Sequence, residues 1–208
     1  IVEEQRQERA GLLAKTQSQE KTYQQTLAEL EKQQQAISDQ IEEIESQLRD
    51  NYNPSAAPSR RTGVLSYPIA NARLTQEYGA TAFAQRAYKS RFHNGCDFAA
   101  PIGTPIMAAA DGIVTTVGNN GRVQYGKYII VKHNNNLSTL YAHLSRHAVT
   151  EGTTVKEGEI IGYSGNTGYS TGPHLHFTVY LTASIVLKTI KGAGIVPAGF
   201  TLNPKDYL

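Results

Sequence analysis

The chain has 208 residues, with 20 Lys and Arg against 18 Asp and Glu and a single cysteine, Cys96. That length accommodates one ordinary domain with an appendage and hardly two full domains. One cysteine excludes an internal disulfide framework and a cysteine-based structural zinc site, and no apolar run is long enough to span a membrane.

The chain opens on Ile1 rather than Met, so it reads as a fragment of a longer protein. Residues 1–50 are rich in Gln, Glu, Lys, Leu and Ile and contain no proline. Tyr23, Leu27, Leu30, Gln34, Ile37, Ile41, Ile44 and Leu48 recur at alternating spacings of four and three, the a/d ladder of a heptad repeat broken once by Gln34. Upstream the ladder weakens: Leu13 fits, while Thr16 and Glu20 suit the seam poorly. A seam this narrow calls for a partner, because an isolated helix in water has nothing against which to bury it. The expected partner for residues 13–48 is a second copy of the chain or an antiparallel helix from an upstream segment, with Gln34 fixing the register. Asn51, Asn53 and Pro54 end the helix, and residues 51–63 read as a linker without periodicity.

From residue 64 to 208 the pattern changes. Runs rich in β-branched and aromatic residues, Gly112 to Val117, Tyr128 to His133, Leu137 to His143 and Leu175 to Tyr180, alternate with Gly/Asn clusters. No helical period of ten residues interrupts them. The expectation is a mainly β fold, an antiparallel β sandwich or partly open barrel, preceded by a long coiled-coil helix. Charge divides along the same boundary. Residues 1–50 hold 6 basic and 11 acidic residues, net −5, and residues 51–208 hold 14 and 7, net +7. A basic domain suits a polyanionic partner, but no nucleic-acid motif or basic-aromatic stacking signature accompanies the charge.

Two short motifs carry chemistry. His93 and Asp97 stand in HNGCD, and His174 and His176 in HLH. Even spacings on a strand share a face, so strands at both motifs would each present a pair to one side of a sheet. Imidazole and carboxylate are the donors of a catalytic zinc site, in which three protein ligands leave a fourth position for water. The assignment that follows is His93, Asp97 and His176 around one Zn2+ per chain. His133 is expected to complete a strand, His147 to sit in an exposed loop, and Cys96 to act as a small buried hydrophobe facing away from Asp97. Tyr141, two residues from His143, would share its face, lining the cleft or packing.

With these motifs the segment from about Pro68 to Leu208 resembles the lysostaphin-type (LytM-like) zinc endopeptidases. The resemblance runs through HNGCDFAAPIGTPIMAAADGIV (93–114), LYAHLS (140–145), VKEGEIIGYSGNTGYSTGPHLHF (155–177) and NPKDYL (203–208). It implies a β domain similar to the duplicated hybrid motif, zinc held by His93, Asp97 and His176, and catalytic roles for His143 and His174. It also implies hydrolysis of cross-links or stem peptides in bacterial peptidoglycan, and hence a place in the cell envelope, periplasmic or extracellular. The competing reading is a non-catalytic activator of other wall hydrolases, a role in which ligands or catalytic histidines are usually missing; here all five are present. The arm is expected to position or regulate the domain, in one version by covering the cleft. Two segments stand out against the family pattern. Gly79 to Phe92, carrying Arg86, Lys89 and Arg91, precedes the first ligand either as a solvated loop or as a cleft wall that contacts anionic substrate groups. Ala183 to Phe200 is a long link before the terminal motif that either extends a cleft wall or is plain loop.

Overall fold

A computed structural model describes residues 2–50, 57–87 and 91–208. Lys89 and the first part of the expected linker, 51–56, lie outside the described residues. Helix α1 runs from Val2 to Asp50, as its abundance of Gln, Glu, Lys, Leu and Ala and its lack of proline favour. The β domain follows: β1 (Leu74–Gln76), a one-turn α2 (Ala84–Ala87), β2 (Cys96–Ala99), β3 (Pro105–Met107), β4 (Gly112–Asn119), β5 (Lys127–His133), β6 (Leu137–His147), β7 (Thr154–Val155), β8 (Ile160–Ser164), β9 (His174–Leu181), β10 (Val186–Ile190), β11 (Gly194–Ala198) and β12 (Thr201–Leu202).

The main sheet is antiparallel in the order β1-β2-β9-β6-β5-β4-β7, with β12 added on β9 and β8 joining β3 to β6. The four runs picked out by β-propensity form strands β4, β5, β6 and β9 of this sheet. One face packs Cys96, Phe98, Ile129, Tyr141, Leu175 and Phe177 into the larger core. Tyr207 of the terminal motif closes it: its carbonyl accepts the amides of Val64 and Leu65, and its ring is 1 % exposed. Cys96 is fully buried here, and burial pushes its thiol up to about 11. His133 ends β5 with Nδ1 on the Asp111 carbonyl and Nε2 on Thr139 Oγ1, both at 2.9 Å. His147, expected in a loop, is the last residue of β6 and half-buried.

The second core shows what covers the lower half of the heptad ladder. Ile37 and Ile41 are 3 % and 7 % exposed, buried among Tyr128, Ile130, Leu140 and Val196 with Ile44 against the rim. The link 183–200, open in the sequence between wall and loop, folds as the β10-β11 hairpin. It is pinned by Asn120 Nδ2 donating to the carbonyls of Ala193 (2.7 Å) and Ile195 (2.8 Å). Gln34 is buried, and its Oε1 accepts the Gln124 amide at 2.7 Å. Over this stretch the expected partner helix finds no support; the cover comes from the chain's own β domain. The polar break in the ladder thus meets the β4-β5 connection rather than a second helix. Higher up, Leu13 and Tyr23 are exposed. Two buried isoleucines contribute roughly 2–5 kcal/mol each against truncation. The double change Ile37→Asp and Ile41→Asp should therefore raise amide hydrogen exchange in residues 34–44 by about tenfold or more, while β6 and β9 stay protected. Unchanged exchange would mean that the arm does not dock in solution.

Candidate active site

The five sequence-selected residues converge on one cleft of about 720 Å³. Antiparallel pairing sets Asp97 of β2 directly opposite His176 of β9, and Ala99 opposite His174. His93 precedes β2 rather than lying on it. An isolated bridge to Gly79 holds it, and a turn brings its ring back over Asp97. Gly95 permits that return, because a Cβ there would meet the Phe177 carbonyl at 2.5 Å and His176 Cε1 at 2.8 Å.

His143 arrives by a different device. The β5-β6 register shifts between Lys127 and Ile129, and His143 sits at φ 59°, in the left-handed region. This bulge resets the alternation of β6. Tyr141 therefore points into the larger core, its OH accepting the Ala109 amide at 2.8 Å, while His143 turns to the cleft. Tyr141 packs and does not line the site. The strained residue is held from behind: its amide donates to the Tyr125 carbonyl and its Nδ1 to the Thr167 carbonyl (2.8 Å). Thr167 belongs to the glycine-rich turn 165–168, which Gly168 at φ 76° allows to close against Gly126.

Three donor atoms face one another: His93 Nε2 to His176 Nδ1 is 3.0 Å, His176 Nδ1 to Asp97 Oδ1 is 2.9 Å, and His93 Nε2 to Asp97 Oδ1 is 3.2 Å. Tetrahedral ligands at zinc distances stand about 3.4 Å apart, so the set fits one such ion. Among the described residues this is the one His/Asp group suited to a metal. The far nitrogen of each histidine is occupied: His93 Nδ1 by the Glu77 carbonyl (2.9 Å) and His176 Nε2 by Thr178 Oγ1 (2.9 Å). Such outer bonds fix tautomer and ring orientation, leaving lone pairs to converge on the ion position. His174 Nδ1 likewise donates to the Gly172 carbonyl (2.7 Å), and its Nε2 lies 3.7 Å from Asp97 Oδ1. Its ring is 4.6 Å from that of His143.

Electrostatics agree with this geometry. Burial opposes ionisation of Asp97, but hydrogen bonds from His176 and His93 outweigh it and hold the carboxyl well below the usual range. Burial, reinforced by His174 and His176, pushes His143 down to about 3, so its resting imidazole is neutral. Burial also lowers His176.

Several cleft residues were not legible in the sequence. Tyr125 accepts Asn94 Nδ2 on its OH (2.9 Å) and tilts its ring beside His176 at 5.8 Å. It lies in the β4-β5 connection, where no periodicity marks it; only its place between the glycines of GRVQYG could have drawn notice. Arg73, Thr75 and Gln76 of β1 and its approach form one wall, and Glu31, Gln34 and Ser38 of α1 form another. Arg86 and Arg91 are exposed in the loop before His93.

Residues 91–187 match the family model described as peptidase family M23. The structure resembles the catalytic domain of the prophage-encoded M23 protein EnpA from Enterococcus faecalis, at 30 % identity and a TM-score of 0.52, over 68 % of this chain and 95 % of that one. The chain belongs to peptidase family M23. The M23 fold also resembles a zinc containing peptidase from Vibrio cholerae at 31 % identity and a TM-score of 0.51, over 66 % of this chain and 39 % of that one. In sequence, 85 residues are 48 % identical to the peptidoglycan DD-endopeptidase ShyA of Vibrio cholerae, covering 41 % of this chain and 19 % of that protein. The chain spans about a fifth to a third of the length of the curated relatives it matches. No helix among the described residues is long and apolar enough to cross a membrane.

Proposed function

We propose that this chain is a zinc-dependent endopeptidase that hydrolyses peptide links of bacterial peptidoglycan in the cell envelope. The observation that carries the reading is the convergence of His93 Nε2, Asp97 Oδ1 and His176 Nδ1 within 2.9–3.2 Å of one another, beside two further histidines. Membership of the M23 family, the zinc in the similar Vibrio peptidase and the activity named for ShyA support it. His93, Asp97 and His176 would hold the ion. Bound zinc supplies Lewis-acid polarisation of the scissile carbonyl and a water that ionises near neutral pH.

The protein's own groups handle the protons. We assign His174 as general base: its Nδ1–H is anchored on the Gly172 carbonyl, so Nε2 faces the cleft as an acceptor beside Asp97. His143 faces the same space with Nδ1–H anchored on the Thr167 carbonyl. Burial disfavours its cation, so the proton that His174 takes from the attacking water, once passed to His143 Nε2, is surrendered in turn to the leaving amine, and both histidines end as they began. All five side chains are present and turned to one cleft, which favours hydrolysis over an activator role.

The test is digestion of purified sacculi by the zinc-loaded chain, the chelator-treated chain and the chain restored with zinc, followed by mass spectrometry. Release that vanishes with chelation and returns with zinc is expected, and the fragments name the bond. No release from protein holding one zinc per chain would overturn the reading.

A further inference from the structure

Strand order places the cleft residues in sequence across the sheet: β1, then Asp97 on β2, then His174 and His176 on β9, then His143 on β6. The outermost strand carries groups that the chemistry above does not use. Leu74 pairs with Phe98 but Gln76 pairs with Asp97, so β1 holds a bulge at Thr75. Simple alternation would send Gln76 to the core with Leu74; the bulge returns it to the cleft beside Asp97. Its Nε2 is buried and has no hydrogen-bond partner among the described residues. A buried donor left unpaired is costly, and an acceptor on a ligand would offset that cost. Arg73, on the same wall, is the one Lys or Arg side chain lining the cleft among the described residues, and its guanidinium pairs with no described carboxylate. A guanidinium fork and an amide donor presented by one wall suit a planar carboxylate.

We infer that Arg73 and Gln76 bind a free carboxylate of the substrate on the Asp97 side of the scissile amide. The substrate class is then a peptide link flanked by an ionised carboxyl, rather than an uncharged bridge such as one made of glycine. This rests on the endopeptidase reading of the same cleft. It makes β1 a specificity element, with Arg73 providing charge and Gln76 direction.

The test uses two cross-linked muropeptide dimers that differ only in whether the carboxyl beside the scissile amide is free or amidated. The zinc-loaded full chain should show a kcat/KM for the free acid about tenfold or more above that for the amide, the worth of a charge-assisted hydrogen bond. Arg73→Ala and Gln76→Ala should each reduce that ratio, mainly through KM, with Arg73→Lys intermediate because it keeps the charge and loses the fork. Equal rates on the two dimers, or a preference that survives both alanine changes, would overturn the inference. Calorimetric binding of the free and amidated product peptides separates it from the endopeptidase reading. If neither dimer is cut, tighter binding of the free acid that depends on Arg73 sustains the carboxylate site and the hydrolase reading fails. Equal binding of the two peptides overturns the site itself.

Discussion

Replacing His176 with alanine should remove stoichiometric zinc from the purified chain and take peptidoglycan hydrolysis below detection. His176 contributes the donor closest to both other ligand atoms, at 2.9 Å from Asp97 Oδ1 and 3.0 Å from His93 Nε2. Without it, two donors remain on a buried site, and loss of even an outer-sphere partner typically weakens metal affinity by about 10–100-fold. The measurement is zinc content by elemental analysis together with fragment release from sacculi. The fold should persist, since β9 is held on both sides by backbone pairing to β2 and β6. Full zinc retention with full activity would move the metal centre elsewhere.

The second large effect concerns the proton-handling pair. His143→Ala and His174→Ala should each lower kcat by about 10²–10⁴-fold while leaving zinc bound, the range for loss of a positioned acid or base. Neither side chain belongs to the three-donor set, so metal content separates this outcome from ligand loss. The two changes should combine less than additively if the histidines act on one proton path. Near-normal kcat in either variant would remove that residue from the reaction. Loss of zinc in His174→Ala would make it a ligand instead.

Much of the cleft's geometry is legible in the sequence itself. The HLH pair lies on β9 as its spacing demands, and Asp97 meets it across the β2-β9 ladder. The HNGCD pair behaves differently: His93 reaches Asp97 through a turn that depends on Gly95, so proximity arises without shared strand parity. Bulges set the other limit. One extra residue in β6 separates Tyr141 from His143, and one in β1 brings Gln76 to the cleft. Alternation in sequence cannot register an insertion that exists only relative to a partner strand. The helix shows the same boundary in another form. The heptad ladder locates Gln34, Ile37 and Ile41 on one face, but an apolar seam reads the same whether a helix or a sheet covers it.

The docked helix also has a mechanical meaning. At 1.5 Å per residue, Arg6 stands about 52 Å along the axis from Ile41, whereas Glu31 on the cleft wall stands only about 15 Å from it. With Ile41 as fulcrum, a tilt of about 10° sweeps Arg6 through roughly 9 Å and shifts Glu31 by roughly 3 Å. By this geometry alone, any displacement at the tip would reach the cleft wall reduced roughly threefold, and the Gln34 contact to the Gln124 amide, lying between Glu31 and Ile41, would resist it.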